Sequence, residues 1–170
     1  RPDTHPRGRV GDAIDEDARV PRRKTDGDAQ PVRAAGGLDD LLGLAVIGRD
    51  KVTRKWLWWS HAWAHPSVLE RRKSEAPRFR DFAKDGDLTL VNHIGEDVEG
   101  VADICEQVYK SGLMDKIGVD PVGIGAILDA LVERKIPEDK VIGISQGWKL
   151  GGAIKTGERK LAEGGMIHSG

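Results

Sequence analysis

Two short apolar runs, KIGVD at residues 116–120 and KVIGIS at 140–145, flank a segment in which Ile124, Ile127, Leu128 and Leu131 recur at helical spacing. Strand, amphipathic helix, strand is the pattern of a βαβ unit. Its helix must carry the chain back across the sheet, so the two strands run parallel and the crossover is right-handed. That restricts the chain to folds built on an α/β sheet. Pro121 suits the first helical position, where its missing N–H leaves no bond unmade. Lys135 to Glu138 reads as the loop before the second strand.

Upstream, LLGLAVIG (41–48) and the Trp-rich KWLWWSHAW (55–63) read as two strands, with Gly48 to Lys51 as the hairpin turn. Pro66 opens a helix, Pro77 breaks it, and a short amphipathic piece carries Phe79 and Phe82. Asp85-Gly86-Asp87 is a turn and LTLVN (88–92) a third strand. Val98, Val101, Ala102, Cys105, Val108 and Tyr109 then mark a helix capped by Asp97 and ended by Ser111-Gly112. A last helix runs from Lys149 to Ala162, Gly164-Gly165 stops it, and MIHSG begins a further element. The order β-β-α-β-α-β-α-β-α predicts an α/β fold: a mixed sheet flanked by helices, with parallel crossovers in its second half.

Composition changes sharply near residue 37. Residues 1–37 hold eight Lys/Arg, seven Asp/Glu and four Pro, but only Ile14 and three valines as larger apolar side chains. Such a segment buries too little apolar surface to offset its ordering entropy, so it is expected to be disordered or non-native, with the domain spanning 38–170. Its Arg/Asp/Pro/Ala bias is also that of a GC-rich gene read in the wrong frame; resequencing upstream of Gly36 tests this. The formal net charge of -1 excludes a globally basic nucleic-acid binder, although not a local basic face. A single cysteine, Cys105, excludes a disulfide framework and a Cys-rich zinc site. Without a long apolar run or a signal-peptide stretch, the chain is expected inside a cell.

Asp120 is the sharpest chemical candidate. It stands at the carboxyl end of a predicted parallel strand, the edge at which open α/β sheets bind ligands. The same position also suits a helix N-cap, and one carboxylate can do both. Asp39 and Asp40, beside a glycine pair, could reach a divalent cation or be ordinary turn residues. His61 and His65 lack companion ligands for zinc. Gly118, Gly123 and Gly125 miss the dinucleotide spacing, and no phosphate-binding loop is present, which argues against nucleotide hydrolysis. Two basic groups, around Arg71 to Arg80 and at Lys149, Lys155, Arg159 and Lys160, are either solvated faces or contacts for a phosphate backbone.

The stretches IGVDPVGIG and GISQGWKLGGAIKTGERKLAEGG, with GGLDDLLGLAVIGRDK and DGDLTLV upstream, resemble the nuclease domain of tailed-phage terminase large subunits over about residues 36–170. The resemblance implies a ribonuclease-H-like fold and an endonuclease that cuts concatemeric viral DNA in the host cell cytoplasm. It implies Mg2+ or Mn2+ as cofactor in a two-metal site, and double-stranded DNA, the terminase small subunit and the portal protein as partners. Asp120 matches the family carboxylate at the end of the central parallel strand, as catalytic metal ligand; Asp40, then Asp39, are candidates for a second contact. Lys149, Lys155 and Arg159 become candidates for the DNA backbone, on charge. The family's first catalytic Asp falls at or near Ala34, a further carboxylate lies downstream of MIHSG, and a motor domain precedes the nuclease. The expected chain is therefore a fragment with an incomplete acidic site. The alternative is a non-catalytic α/β module that binds nucleic acid or a partner protein through its basic helices.

Overall fold

A computed structural model of the chain describes residues 40–145 and 147–168. The segment 1–37 and Asp39 lie outside the described residues.

Strand β1 (Leu42–Arg49) pairs antiparallel with β2 (Trp56–Ala64), from Leu42 opposite Trp63 to Arg49 opposite Trp56. The period of two sorts their side chains. Leu42, Leu44 and Val46 share one face with Trp59, His61 and Trp63, while small Gly43 and Ala45 share the other with Ser60 and Ala62. The far edge of β2 is divided between two parallel strands. β3 (Leu88–Leu90) takes its C-terminal half, Ala62 to Ala64, and β6 (Met166–His168) takes its N-terminal half, Trp56 to Trp58. A second sheet holds β4 (Ile117–Val119) and β5 (Val141–Gly143), parallel and joined by the expected helical crossover.

The main core lies between the first sheet and two helices, α3 (Glu96–Lys110) and α4 (Gly125–Glu133). Trp63 meets Val101, Ala102 and Cys105 of α3 and Ile127, Ala130 and Leu131 of α4 in one buried cluster. Gly100 makes the approach possible: a Cβ there would lie 2.5 Å from Trp63 Nε1. A smaller cluster under α1 (Ser67–Arg71) and α2 (Ala76–Asp85) joins Ala64, Val68, Phe79 and Leu88. Arg134, just past α4, ties that helix to α3. Its guanidinium donates to Glu99 Oε2 and to Asp103 Oδ1, each at 2.6 Å, and to the Ala130 carbonyl at 3.1 Å. The bonds to Glu99 and Asp103 raise its pKa and hold it charged.

Several local expectations are corrected. The hairpin connection is not Gly48 to Lys51; β1 continues to Arg49, and Asp50 organises the loop by accepting the Val52 and Thr53 N–H groups and the Thr53 hydroxyl. Those bonds lower its pKa, the Thr53 N–H foremost. Asp97 does not cap α3. The N-cap is Gly95, at φ 99, and the neighbouring Glu96 reaches back to accept the Asn92 N–H at 2.7 Å. The last helix, α5 (Gly151–Ala162), begins after a 3-10 turn over Gly147–Leu150 rather than at Lys149.

The Glu96 contact gives a pH prediction. Backbone donors at Asn92 and His93 lower the Glu96 pKa, so its contribution is present above the ordinary glutamate range and is lost as pH falls through the depressed value. Glu96→Gln is expected to flatten the stability profile between about pH 5 and pH 3. Urea melts of both proteins across that window check it; parallel profiles would remove Glu96 from the acid response.

Candidate functional site

Asp120 follows β4 directly, and its exposed carboxylate sits at the mouth of a cleft of about 480 Å³. One wall of the cleft is Leu41 to Leu44 at the start of β1; the other is Ile117 to Val119, with Val101, Cys105, Ile124 and Ile127 from the helices forming the floor. The lining is apolar apart from Asp120. Gly118 belongs there for packing: a Cβ would lie 2.9 Å from Ile144 Cγ1. Cys105 is buried, and burial raises its pKa, so it is a packing residue and no nucleophile.

The turn after Asp120 differs from the expected helix start. Asp120 Oδ1 accepts the Val122 N–H at 3.0 Å, two residues on, and Gly123 has φ 76. The segment is an aspartate-centred turn, and α4 starts only at Gly125, with Ile124 at its N-cap. Asp120 is therefore not the helix cap. One carboxylate oxygen, Oδ1, is engaged in the turn, and the residue is exposed.

The other predicted residues do not gather around it. Asp40 stands just before the cleft wall, and its Oδ1 accepts from Arg72 at 3.2 Å and from the Leu41 N–H. Among the described residues no group of three or more His, Cys, Asp or Glu side chains could hold a metal ion. Lys149 lies in the 3-10 turn, and Lys155 and Arg159 lie one turn apart on α5. Arg159 Nε donates to Glu163 at 2.6 Å, which raises the Arg159 pKa and lowers that of Glu163.

Sequence reasoning gave no role to His168 and only a weak zinc reading to His61. His61 stacks on Trp59 with centroids 5.8 Å apart, meets Trp63 edge-on at 4.6 Å, and shares a 2.9 Å hydrogen bond with Thr89. His168 meets the edge of Trp58 and lies 3.5 Å from the Ser60 hydroxyl. Both are packing and sheet-bridging groups. The alternation of Trp59, His61 and Trp63 along β2 was the signal for His61; His168, on β6, had none.

No family model matches the chain, and no curated protein matches it. Among solved structures, it is similar to the crystal structure of the HK97 bacteriophage large terminase, with TM-score 0.59 and 22% identity. The match covers 76% of this chain and 27% of that one, so the chain spans about a quarter of that protein's length. The likeness, with the mixed sheet and its flanking helices, establishes a ribonuclease-H-like α/β fold of the kind found in that terminase. No described helix is long and apolar enough to cross a membrane.

Proposed function

We propose that this chain is part of the nuclease domain of a tailed-phage DNA-packaging terminase, carrying its fold and one member of its acidic site. The observation that supports this reading is Asp120, an exposed carboxylate at the carboxyl end of a parallel strand, in a fold shared with a large terminase. In a complete site, two divalent ions, Mg2+ or Mn2+, about 4 Å apart would stabilise the attacking and leaving oxygens of a phosphodiester. The described residues do not fit such a centre, because no three candidate ligands stand together and Asp40 is engaged by Arg72. No hydrolytic step is therefore assigned to this chain by itself.

Its own residues still have definable tasks. The turn bond from Val122 holds the Asp120 carboxylate at the end of β4, where it would take a single ligand position. Double-stranded DNA is the substrate of this reading, with Lys149, Lys155 and Arg159 as candidates for its backbone, Arg159 being shared with Glu163. The terminase small subunit, the portal protein and the host cytoplasm belong to the same proposal.

Two measurements test it. Mn2+ titrated into the chain is expected to broaden the amide signals of Asp120, Val122 and Gly123 at millimolar concentration, and Asp120→Asn to abolish that broadening. Broadening that persists in the variant, or centres elsewhere, would remove Asp120 from the reading. Supercoiled plasmid with Mn2+ is expected to stay intact with either protein. Nicking lost in Asp120→Asn would keep the nuclease reading and overturn the incomplete site.

A further inference from the structure

The tip of the β1–β2 hairpin concentrates positive charge. Residues Arg49 to Lys55, RDKVTRK, hold four cations and one acid, in a chain whose formal net charge is -1. That acid is spent inside the loop: Asp50 Oδ1 accepts the N–H groups of Val52 and Thr53 and the Thr53 hydroxyl. Among the described residues none of Lys51, Arg54 and Lys55 has a carboxylate partner, and all three are exposed. Like charges crowded at one tip repel one another, so this placement costs the fold stability. Arg54 also has φ 61, a left-handed backbone that glycine or asparagine adopts more cheaply. Three bonds nevertheless fix the tip. The Asp50 N–H donates to the Lys55 carbonyl at 2.9 Å, the Arg54 N–H to the Asp50 carbonyl at 3.1 Å, and Arg49 Nε to the Arg54 carbonyl at 3.2 Å, with its guanidinium over the Trp56 ring.

From this geometry we infer that the hairpin tip is an anchor for duplex DNA: the tip enters the major groove, and Lys51, Arg54 and Lys55 contact the phosphates that border it. A two-stranded ribbon fits that groove, which is about 12 Å wide. An acidic peptide would need a groove to lie in, whereas this tip projects beyond the last strand pair with residues 51–55 all exposed, Val52 to 89%. Val52 has no polar group and the Thr53 hydroxyl is taken by Asp50, so neither reads a base edge and the contact is independent of sequence. The Trp56 N–H bond to the Gly165 carbonyl, 2.8 Å, sets the end of α5 beside the tip, where Arg159 and Lys160 share one carboxylate, Glu163. The anchor is remote from the acidic residue. Leu42 borders the Asp120 cleft, and Arg49 lies at the other end of β1, about 24 Å away at 3.4 Å per residue. Duplex DNA as the polyanion rests on the proposed function; the anchor needs no metal at Asp120.

The test is the fluorescence anisotropy of a labelled duplex of about 20 base pairs, titrated with the full chain in EDTA so that no metal takes part and the reading of Asp120 is not at stake. Lys51→Gln, Arg54→Gln and Lys55→Gln combined are expected to weaken binding at least tenfold at about 50 mM salt. Each lost phosphate contact removes about 0.9 from the slope of log K against log salt, so the slope should fall by about 2 to 3. A control that combines Lys84→Gln, Lys110→Gln and Lys135→Gln has the same net charge and should bind as the wild type does. Arg54→Asn separates charge from backbone: it should melt no lower than the wild type, yet bind at least threefold more weakly. Unaltered affinity in either tip variant, an equal loss in the control, or no binding by the wild type overturns the anchor. A polyglutamate peptide bound as tightly as the duplex would assign the tip to an acidic protein segment and overturn it too.

Discussion

Leu131→Ala is expected to lower stability by about 3 kcal/mol and the melting temperature by roughly 10 °C. Leu131 is 1% exposed and packs where α4 meets α3 and the first sheet. Truncation removes the transfer energy of its branched end and leaves a void that the neighbours fill only in part. They are poorly placed to collapse inward, because Arg134 fastens α4 to Glu99 and Asp103 of α3. Urea melts followed by tryptophan fluorescence give the number. A loss below 1 kcal/mol would mean that α4 is not seated as described.

Gly100→Ala is the second, and two effects of opposite sign meet there. Alanine inside a helix is favoured over glycine by about 1 kcal/mol. The new methyl, however, would lie 2.5 Å from Nε1 and 2.9 Å from Cε2 of Trp63. Those are atoms of a rigid ring that is 7% exposed and cannot swing aside. Overpacking of this kind costs about 1–3 kcal/mol and more where backbone must shift. The contact wins, and a net destabilisation of about 1–2 kcal/mol is expected, with a shifted Trp emission spectrum. The same change at Gly152, on the open side of α5 where a Cβ meets nothing within 4 Å, should stabilise instead. Equal responses at the two sites would refute the packing of Trp63 on Gly100.

The difference between these glycines is invisible in the sequence, and it marks where sequence reasoning stops. The parallel pair KIGVD and KVIGIS, the crossover stripe from Ile124 to Leu131 and the leading hairpin were all legible, because periodicity alone encodes them. Boundaries failed where one residue suits two local structures. Pro121 fits helix position N1 and also the second position of a turn; the Asp120 carboxylate on Val122 and the positive φ of Gly123 decided for the turn. Asp97 and Glu96 compete for the start of α3, and the side chain that reaches the free Asn92 N–H is the longer one. The three residues of β6 gave no periodic signal, since a strand that short carries only one alternation. Of the candidate acidic residues, Asp120 alone was legible as the carboxylate at the end of a parallel strand. Whether other carboxylates join it depends on contacts distant in sequence, and Asp40 turned instead to Arg72.

The shared edge of β2 bears on how the molecule is made. Trp56 opens that strand and Met166 lies beside it, yet nearly the whole domain is translated between them. A growing chain can seat β3 early but must leave the Trp56 to Trp58 half of the strand bare until Met166 to His168 emerge from the ribosome. Ribosome stalling or proteolytic trimming ahead of Met166 would thus yield a product with most of its helices formed and an indole-rich border open to chaperones.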